Sequence, residues 1–236
     1  MRVAAIQYRP PKGVPAEARI ALAEAVDQAG RDGARLIVCP EMATTGYIWP
    51  DAAAITPHAE PGQGPTAAAL GPVAARHGAW VFCGFAEREG AALYNSVLVL
   101  DPRGTCAGVY RKVMLYSADQ AWARPGSQRM QVQTEHGDVV PGICMDLNDP
   151  GFTAVLHQQA PRFCAFSTNW VDEGEDPLPY WRQRLFPWRG WLIAANSWGE
   201  DTGTWFTGLS TILGPDGAAH ARAAREGDEI LVVEID

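Results

Sequence analysis

Short apolar runs alternate along the chain with segments whose apolar positions recur every three or four residues, and this alternation predicts the elements. Val3–Gln7 reads as a first strand. Ala16–Arg31 follows as a helix gathering Ala18, Leu22, Ala25, Val26 and Ala29 on one face. Arg35–Cys39 is a strand, apolar throughout after Arg35, that stops at Pro40, and a second helix covers Thr66–His77. Trp80–Ala86 and Tyr94–Leu100 are strands joined by a turn at Glu89-Gly90. Asp101-Pro102-Arg103-Gly104 then turns the chain into a strand over Thr105–Tyr110. Further strands are predicted at Val139–Cys144, Phe163–Ser167, Leu192–Ala195, Leu209–Leu213 and Ile230–Val233, with helices at Phe152–Gln159 and Pro179–Trp191. No repeat, low-complexity tract or linker divides the chain. The order of elements predicts one α/β domain over residues 1–236, built on a mixed sheet or on two sheets covered by helices.

Composition narrows the function classes. With 47% hydrophobic and 19% charged residues, disordered and fibrous chains are excluded. A net charge of −8 without a basic run argues against nucleic acid and against an anionic membrane surface as partners. No apolar stretch is long enough to span a bilayer, and the N-terminus reads as a strand rather than a signal peptide. The cysteines, Cys39, Cys83, Cys106, Cys144 and Cys164, are odd in number and lack CxxC spacing. That pattern supports neither a disulfide framework nor a metal site, and a reducing cytoplasm is the expected compartment.

Functional groups on α/β sheets collect at the carboxyl ends of strands, and three reactive residues follow predicted strands there. Cys144 closes an apolar strand ahead of a helix whose dipole would favour a thiolate; taken alone, a free cysteine is more often a small buried hydrophobe. Glu41 follows a buried run and a proline; burial beside a thiol would raise its pKa toward that of a neutral-pH base, whereas a solvated loop glutamate is the plainer alternative. Lys112 follows an alternating strand and is either an oxyanion-holding ammonium or an ordinary surface lysine. The five histidines (His58, His77, His136, His157 and His220) carry no catalytic spacing.

Together and in this order, the three segments resemble the nitrilase superfamily of carbon–nitrogen hydrolases. Cys39-Pro40-Glu41-Met42-Ala43-Thr44-Thr45-Gly46-Tyr47 is similar to that family's glutamate motif, Tyr110-Arg111-Lys112-Val113-Met114-Leu115 to its lysine motif, and Gly142-Ile143-Cys144-Met145-Asp146-Leu147 to its nucleophile motif. Weaker similarities run nearly end to end, among them Asn95-Ser96-Val97 and Ser167-Thr168-Asn169-Trp170. The resemblance implies an αββα sandwich and a Cys-Glu-Lys triad working without cofactor or metal. Cys144 would attack an amide or nitrile carbon, Glu41 would act as general base and acid, and Lys112 would hold the oxyanion. The flanking words look like the branch acting on N-terminal asparagine and glutamine. The family also implies a homodimer or higher homo-oligomer.

One departure stands out: many members carry a second glutamate shortly after the lysine, and Gln120 occupies that position. Either Gln120 keeps the hydrogen-bonding role or Asp119 takes it over. Candidate substrate-binding residues are Tyr47, Gln120, Asn169, Trp170 and Asn196, with Trp122 and Phe152 as further possibilities. Arg182 and Arg184 are either carboxylate binders or solvated helix residues, and Asp172–Asp176 is expected to form an acidic loop near the pocket mouth. The leading expectation is an amidase releasing ammonia from a small linear carboxamide. A nitrilase, a carbamoyl-amine hydrolase and an acyltransferase on the same triad are the alternatives, together with a degenerate member acting as a binding protein.

Overall fold

Every strand predicted from an apolar run belongs to one of two sheets, and the runs are continuous rather than alternating because both faces of each sheet are covered. A computed structural model describes all residues from Met1 to Asp236. The first half contains β1 (Arg2–Gln7), α1 (Pro15–Arg31), β2 (Ala34–Val38), α2 (Ala52–Ile55), a 3-10 turn (Thr56–His58), α3 (Pro65–His77), β3 (Trp80–Glu89), β4 (Ala92–Leu100), β5 (Cys106–Arg111) and α4 (Ser117–Gln120). The second contains β6 (Val139–Ile143), a 3-10 turn (Cys144–Asn148), α5 (Pro150–Gln159), β7 (Phe163–Thr168), α6 (Pro177–Leu185) and β8 (Trp191–Asn196). It closes with β9 (Trp198–Asp201), β10 (Thr204–Thr207), β11 (Thr211–Leu213), β12 (Ala219–Arg222) and β13 (Glu229–Glu234).

The sheets run in the orders β13-β1-β2-β3-β4-β5 and β12-β11-β8-β7-β6. β1, β2 and β3 are parallel, as are β6, β7 and β8. Parallel neighbours need a crossover, and α1, α3, α5 and α6 supply it. Period-two alternation sends Val3, Leu36, Phe82 and Val97 of one sheet against Ile143, Phe163, Ile193 and Ile212 of the other. The opposite faces bury Ile37, Val81 and Leu98 against Leu22 and Val26 of α1 and Leu70 of α3. On the far side Cys164 and Leu192 pack on Phe152 of α5 and Trp181 of α6. The result is an α/β/β/α sandwich, as the resemblance implied.

Three local expectations change. The last long helix ends at Leu185 rather than Trp191, because Phe186 precedes Pro187 and takes the extended backbone (φ −60°, ψ 134°) that a following proline favours. The hairpin of β9 and β10 was not predicted: each strand has four residues and no continuous apolar run, and its two-residue turn, Thr202-Gly203, is recognisable only by positive φ (51° and 82°). β12, short and largely exposed at a sheet edge, also carries no apolar run.

Candidate active site

Glu41 stands just past β2, on a loop that passes directly over β3 at Gly84. A Cβ there would lie 2.2 Å from the Pro40 carbonyl oxygen and 2.6 Å from Glu41 Cα, so glycine is what allows the crossing. Gly84 N–H donates to Pro40 O (3.1 Å), and Ala43 N–H donates to Gly84 O (2.9 Å). From the other sheet, Ser167 Oγ donates to Cys39 O at 2.8 Å. Pinned from both sides, the glutamate is fully buried. Its Oε1 accepts from Asn95 Nδ2 and Lys112 Nζ, both at 2.7 Å, and its Oε2 accepts from Asn169 N–H at 2.9 Å. Burial pushes its pKa up to about 7; Lys112 pulls it back and Asp119 adds to the rise.

Lys112 leaves β5 with its N–H donating to Asn95 O at 2.9 Å. Its ammonium, fully buried, donates to Asp119 Oδ2 (2.5 Å), Glu41 Oε1 (2.7 Å) and Tyr47 OH (3.3 Å). Burial alone would lower its pKa, but Asp119 and Glu41 outweigh it and hold the group protonated well above the usual lysine range. Gln120 does not take part: it is exposed, and Asp119 occupies the place beside the lysine. Neighbouring residues on a helix point about 100° apart, so only one of the two can face Lys112. Asp119 is fixed further by Tyr47 OH (3.1 Å), Asn95 Nδ2 (2.9 Å) and the Tyr116 N–H (2.9 Å).

Cys144 follows β6 directly, with a left-handed φ of 39° that costs about 1–2 kcal/mol for a residue with a Cβ. Asp146, fully buried, secures this turn. Its Oδ2 accepts from Ile143 N–H (3.0 Å) and Tyr110 OH (2.7 Å), and its Oδ1 from Val113 N–H (3.0 Å) and Met114 N–H (2.9 Å). One carboxylate thus joins the cysteine turn to the loop behind Lys112. The helix-favoured thiolate expected from sequence is corrected. The thiol opens a five-residue 3-10 turn, and burial, reinforced by Glu41, pushes its pKa up to about 12. Lys112, the Thr168 hydroxyl and the Asn169 N–H act the other way and do not overcome it.

Cys144 opens onto a cleft of about 290 Å³ whose walls include Tyr47, Asn169, Trp170 and Tyr180, and whose mouth carries Glu173, Glu175 and Asp176. Asn196 does not reach this cleft. Its Oδ1 accepts the Trp170 N–H at 2.8 Å and its Nδ2 donates to Gly208 O at 2.5 Å, which makes it a support for Trp170. Trp122 packs among Met42 and Tyr47, and Phe152 lies in the core beneath β6. Arg184 donates to the carbonyls of Leu147 and Asn148 (3.1 Å each), closing the turn that Cys144 opens, whereas Arg182 is exposed. A larger hollow of about 450 Å³ shares the Tyr47–Asn169 wall but reaches neither Cys144 nor Lys112. No group of His, Cys, Asp and Glu is arranged to hold a metal ion.

Sequence reasoning gave no role to Asn95, Asp146 or Thr168. Asn95 carried a signal, as an amide beside Ser96 in a strand of otherwise apolar character, and so did Asp146, an acid three positions after a buried strand. Thr168 looks like any strand-end threonine.

The family model for carbon-nitrogen hydrolases matches residues 2–236. A protein named nitrilase from Pyrococcus abyssi is 30% identical over 100% of this chain and 90% of its own. A protein N-terminal amidase from Schizosaccharomyces pombe is 26% identical over 90% and 91%. Among solved structures, a mutant of the amidase from Nesterenkonia sp. AN1 superposes with a TM-score of 0.86 at 22% identity, covering 100% of this chain and 93% of that one. That structure shows acrylamide joined to the amidase's active-site cysteine, and a variant of the same amidase was solved with butyramide.

Proposed function

The chain belongs to the carbon-nitrogen hydrolase family, and from that premise we propose that it is an amidase converting a small linear carboxamide to the carboxylate and ammonia through a thioester on Cys144. That it is a hydrolase of carbon–nitrogen bonds follows from the family. The rest is argued from the cleft. The observation that carries the reading is a sealed carboxylate with pKa near 7 and a buried ammonium, both acting on the charge of a thiol that opens onto the cleft.

At neutral pH the thiol keeps its proton, so attack is coupled to proton transfer. As the Cys144 sulfur bonds to the carbonyl carbon, Glu41 takes the thiol proton, and Lys112 faces the charge gathering on the oxygen. Glu41 then protonates the nitrogen, the C–N bond breaks, and ammonia leaves the thioester. Water enters, gives a proton to Glu41 and attacks the same carbon. Collapse releases the carboxylate and returns the proton to sulfur. Glu41 begins and ends ionised, Lys112 never surrenders its proton, and Asp119 balances the ammonium that Glu41 alone would share.

The deciding experiment measures ammonia release from linear amides, carbamoyl amines, nitriles and asparagine- or glutamine-headed peptides, with wild type and Cys144→Ala. Release from amides that vanishes in the variant is the expected result. Release that survives it, or that occurs only from nitriles, overturns the reading. Assembly as a homodimer or higher homo-oligomer rests on the sequence resemblance, with light scattering at twice the chain mass or more as its test, and a cytoplasmic location rests on the unpaired cysteines.

A further inference from the structure

The cleft that holds Cys144 is unusual in its charge. No lysine or arginine lines it, yet three carboxylates do. One of them is already occupied: Asp176 takes both Arg222 Nη atoms (2.8 and 2.5 Å) and caps α6 through the Leu178 N–H at 2.8 Å. Of the other guanidinium groups nearby, Arg225 is spent on Asp172 at 3.2 Å and Arg184 on the carbonyls of Leu147 and Asn148 at 3.1 Å each. Glu173 and Glu175 form no ion pair and no hydrogen bond, so two negative charges stand uncompensated at the mouth.

The interior points the same way independently. Asn169, 2% exposed, lines the cleft, and its Oδ1 has no donor in the protein although its Nδ2 is held by Glu41 O at 2.9 Å. An acceptor sealed without a partner costs free energy unless a ligand supplies an N–H. Between floor and mouth, the rings of Trp170 and Tyr180 lie 5.7 Å apart, tilted to one another, and both line the wall. Acceptor below, aromatic walls and free carboxylates above suit a ligand with N–H donors at one end and a cation at the other.

We propose that the preferred substrate is a carboxamide whose far end carries a primary ammonium, received by Glu173 and Glu175 while Asn169 Oδ1 accepts from the reacting amide. This rests on the amidase reading above. The amide N–H reaches the floor beside Cys144, the methylene chain follows Trp170, and the ammonium remains at the mouth where water still solvates it. An anionic tail meets repulsion at the same place, and a neutral tail gains only apolar contact.

Three amides of matched length test this: δ-aminovaleramide, hexanamide and glutaramate, bearing an ammonium, a methyl group and a carboxylate. Wild type is expected to favour δ-aminovaleramide over hexanamide by about tenfold in kcat/KM, the scale of two partly exposed ion pairs with aromatic help, and to disfavour glutaramate. In Glu173→Gln/Glu175→Gln that ratio should fall toward one, and high salt should compress it in wild type. The affinities of the same amides for Cys144→Ala, read by calorimetry, should rank alike. Equal use of hexanamide and δ-aminovaleramide leaves the amidase reading standing and overturns this inference, as does a preference that survives the double substitution. Selective binding of δ-aminovaleramide without turnover by wild type supports the reception of an ammonium by Glu173 and Glu175 and overturns the amidase reading.

Discussion

A carboxylate sealed beside a lysine would ordinarily be held well below neutrality, and Glu41 is not, because desolvation and the second acid, Asp119, together exceed the pull of Lys112. The sign of the consequence is fixed by its role. Glu41 accepts a proton only when ionised, and its raised pKa means that form is lost earlier on acidification than for an ordinary glutamate. The kcat/KM profile should therefore rise about tenfold per pH unit below about pH 7 and level above it. A plateau reaching down to about pH 5 would contradict a base of this kind. The neighbouring positions Asp119 and Gln120 give a sharper contrast. Asp119→Asn removes one of two anions around a buried ammonium, a change that costs about 3–5 kcal/mol, and should sharply reduce kcat. Gln120→Ala removes an exposed side chain and should alter stability by no more than about 0.5 kcal/mol. Urea melts and initial rates on the pair decide which residue attends Lys112. Sequence alone left that choice open, since the facing of two adjacent residues depends on where a four-residue helix starts.

At the scale of elements, what the sequence carried and what it withheld divide along burial. Strands covered on both faces announce themselves as apolar runs, and the helices that cross between them show their inner stripe. β9, β10 and β12 are four residues each and carry no continuous apolar run, so they leave no such trace. The turn after β6 is intermediate. Its cysteine was conspicuous, and Asp146 was visible as an acid, but its role as the strut was not, because three of its four partners, Tyr110, Val113 and Met114, are distant in sequence. All four of its partners donate, two from the loop after Lys112 and two from Ile143 and Tyr110. Asp146→Asn replaces an acceptor oxygen with an NH2 group that must face donors, leaving at least one of those groups unpaired in the interior at about 1–3 kcal/mol. Because the turn and the lysine loop would then separate, kcat should fall by at least tenfold with KM little changed. Loss confined to stability, with kcat intact, would make the strut purely structural.

The whole molecule explains why these groups meet at all. Glu41, Asn95 and Lys112 come from one sheet, whereas Cys144, Thr168 and Asn169 come from the other. Bonds cross between them at Asn169 to Glu41, Ser167 to Cys39 and Tyr110 to Asp146. Neither sheet holds the constellation alone, so the site exists only while the two inner faces remain in register. The same layer of side chains that stabilises the fold is therefore what sets the distance from thiol to base. Ile193 lies in that layer, fully buried on β8 and far along the chain from every reactive residue. Its truncation to alanine should cost about 2–5 kcal/mol and lower the urea midpoint. If the inter-sheet core positions the site, enzyme activity, tryptophan fluorescence and far-UV circular dichroism must be lost in one coincident transition, at the lowered midpoint as in wild type. Activity that disappears well before secondary structure, in wild type and variant alike, would mean that the cluster can come apart while both sheets stay packed, and the dependence of the site on sheet register would fall.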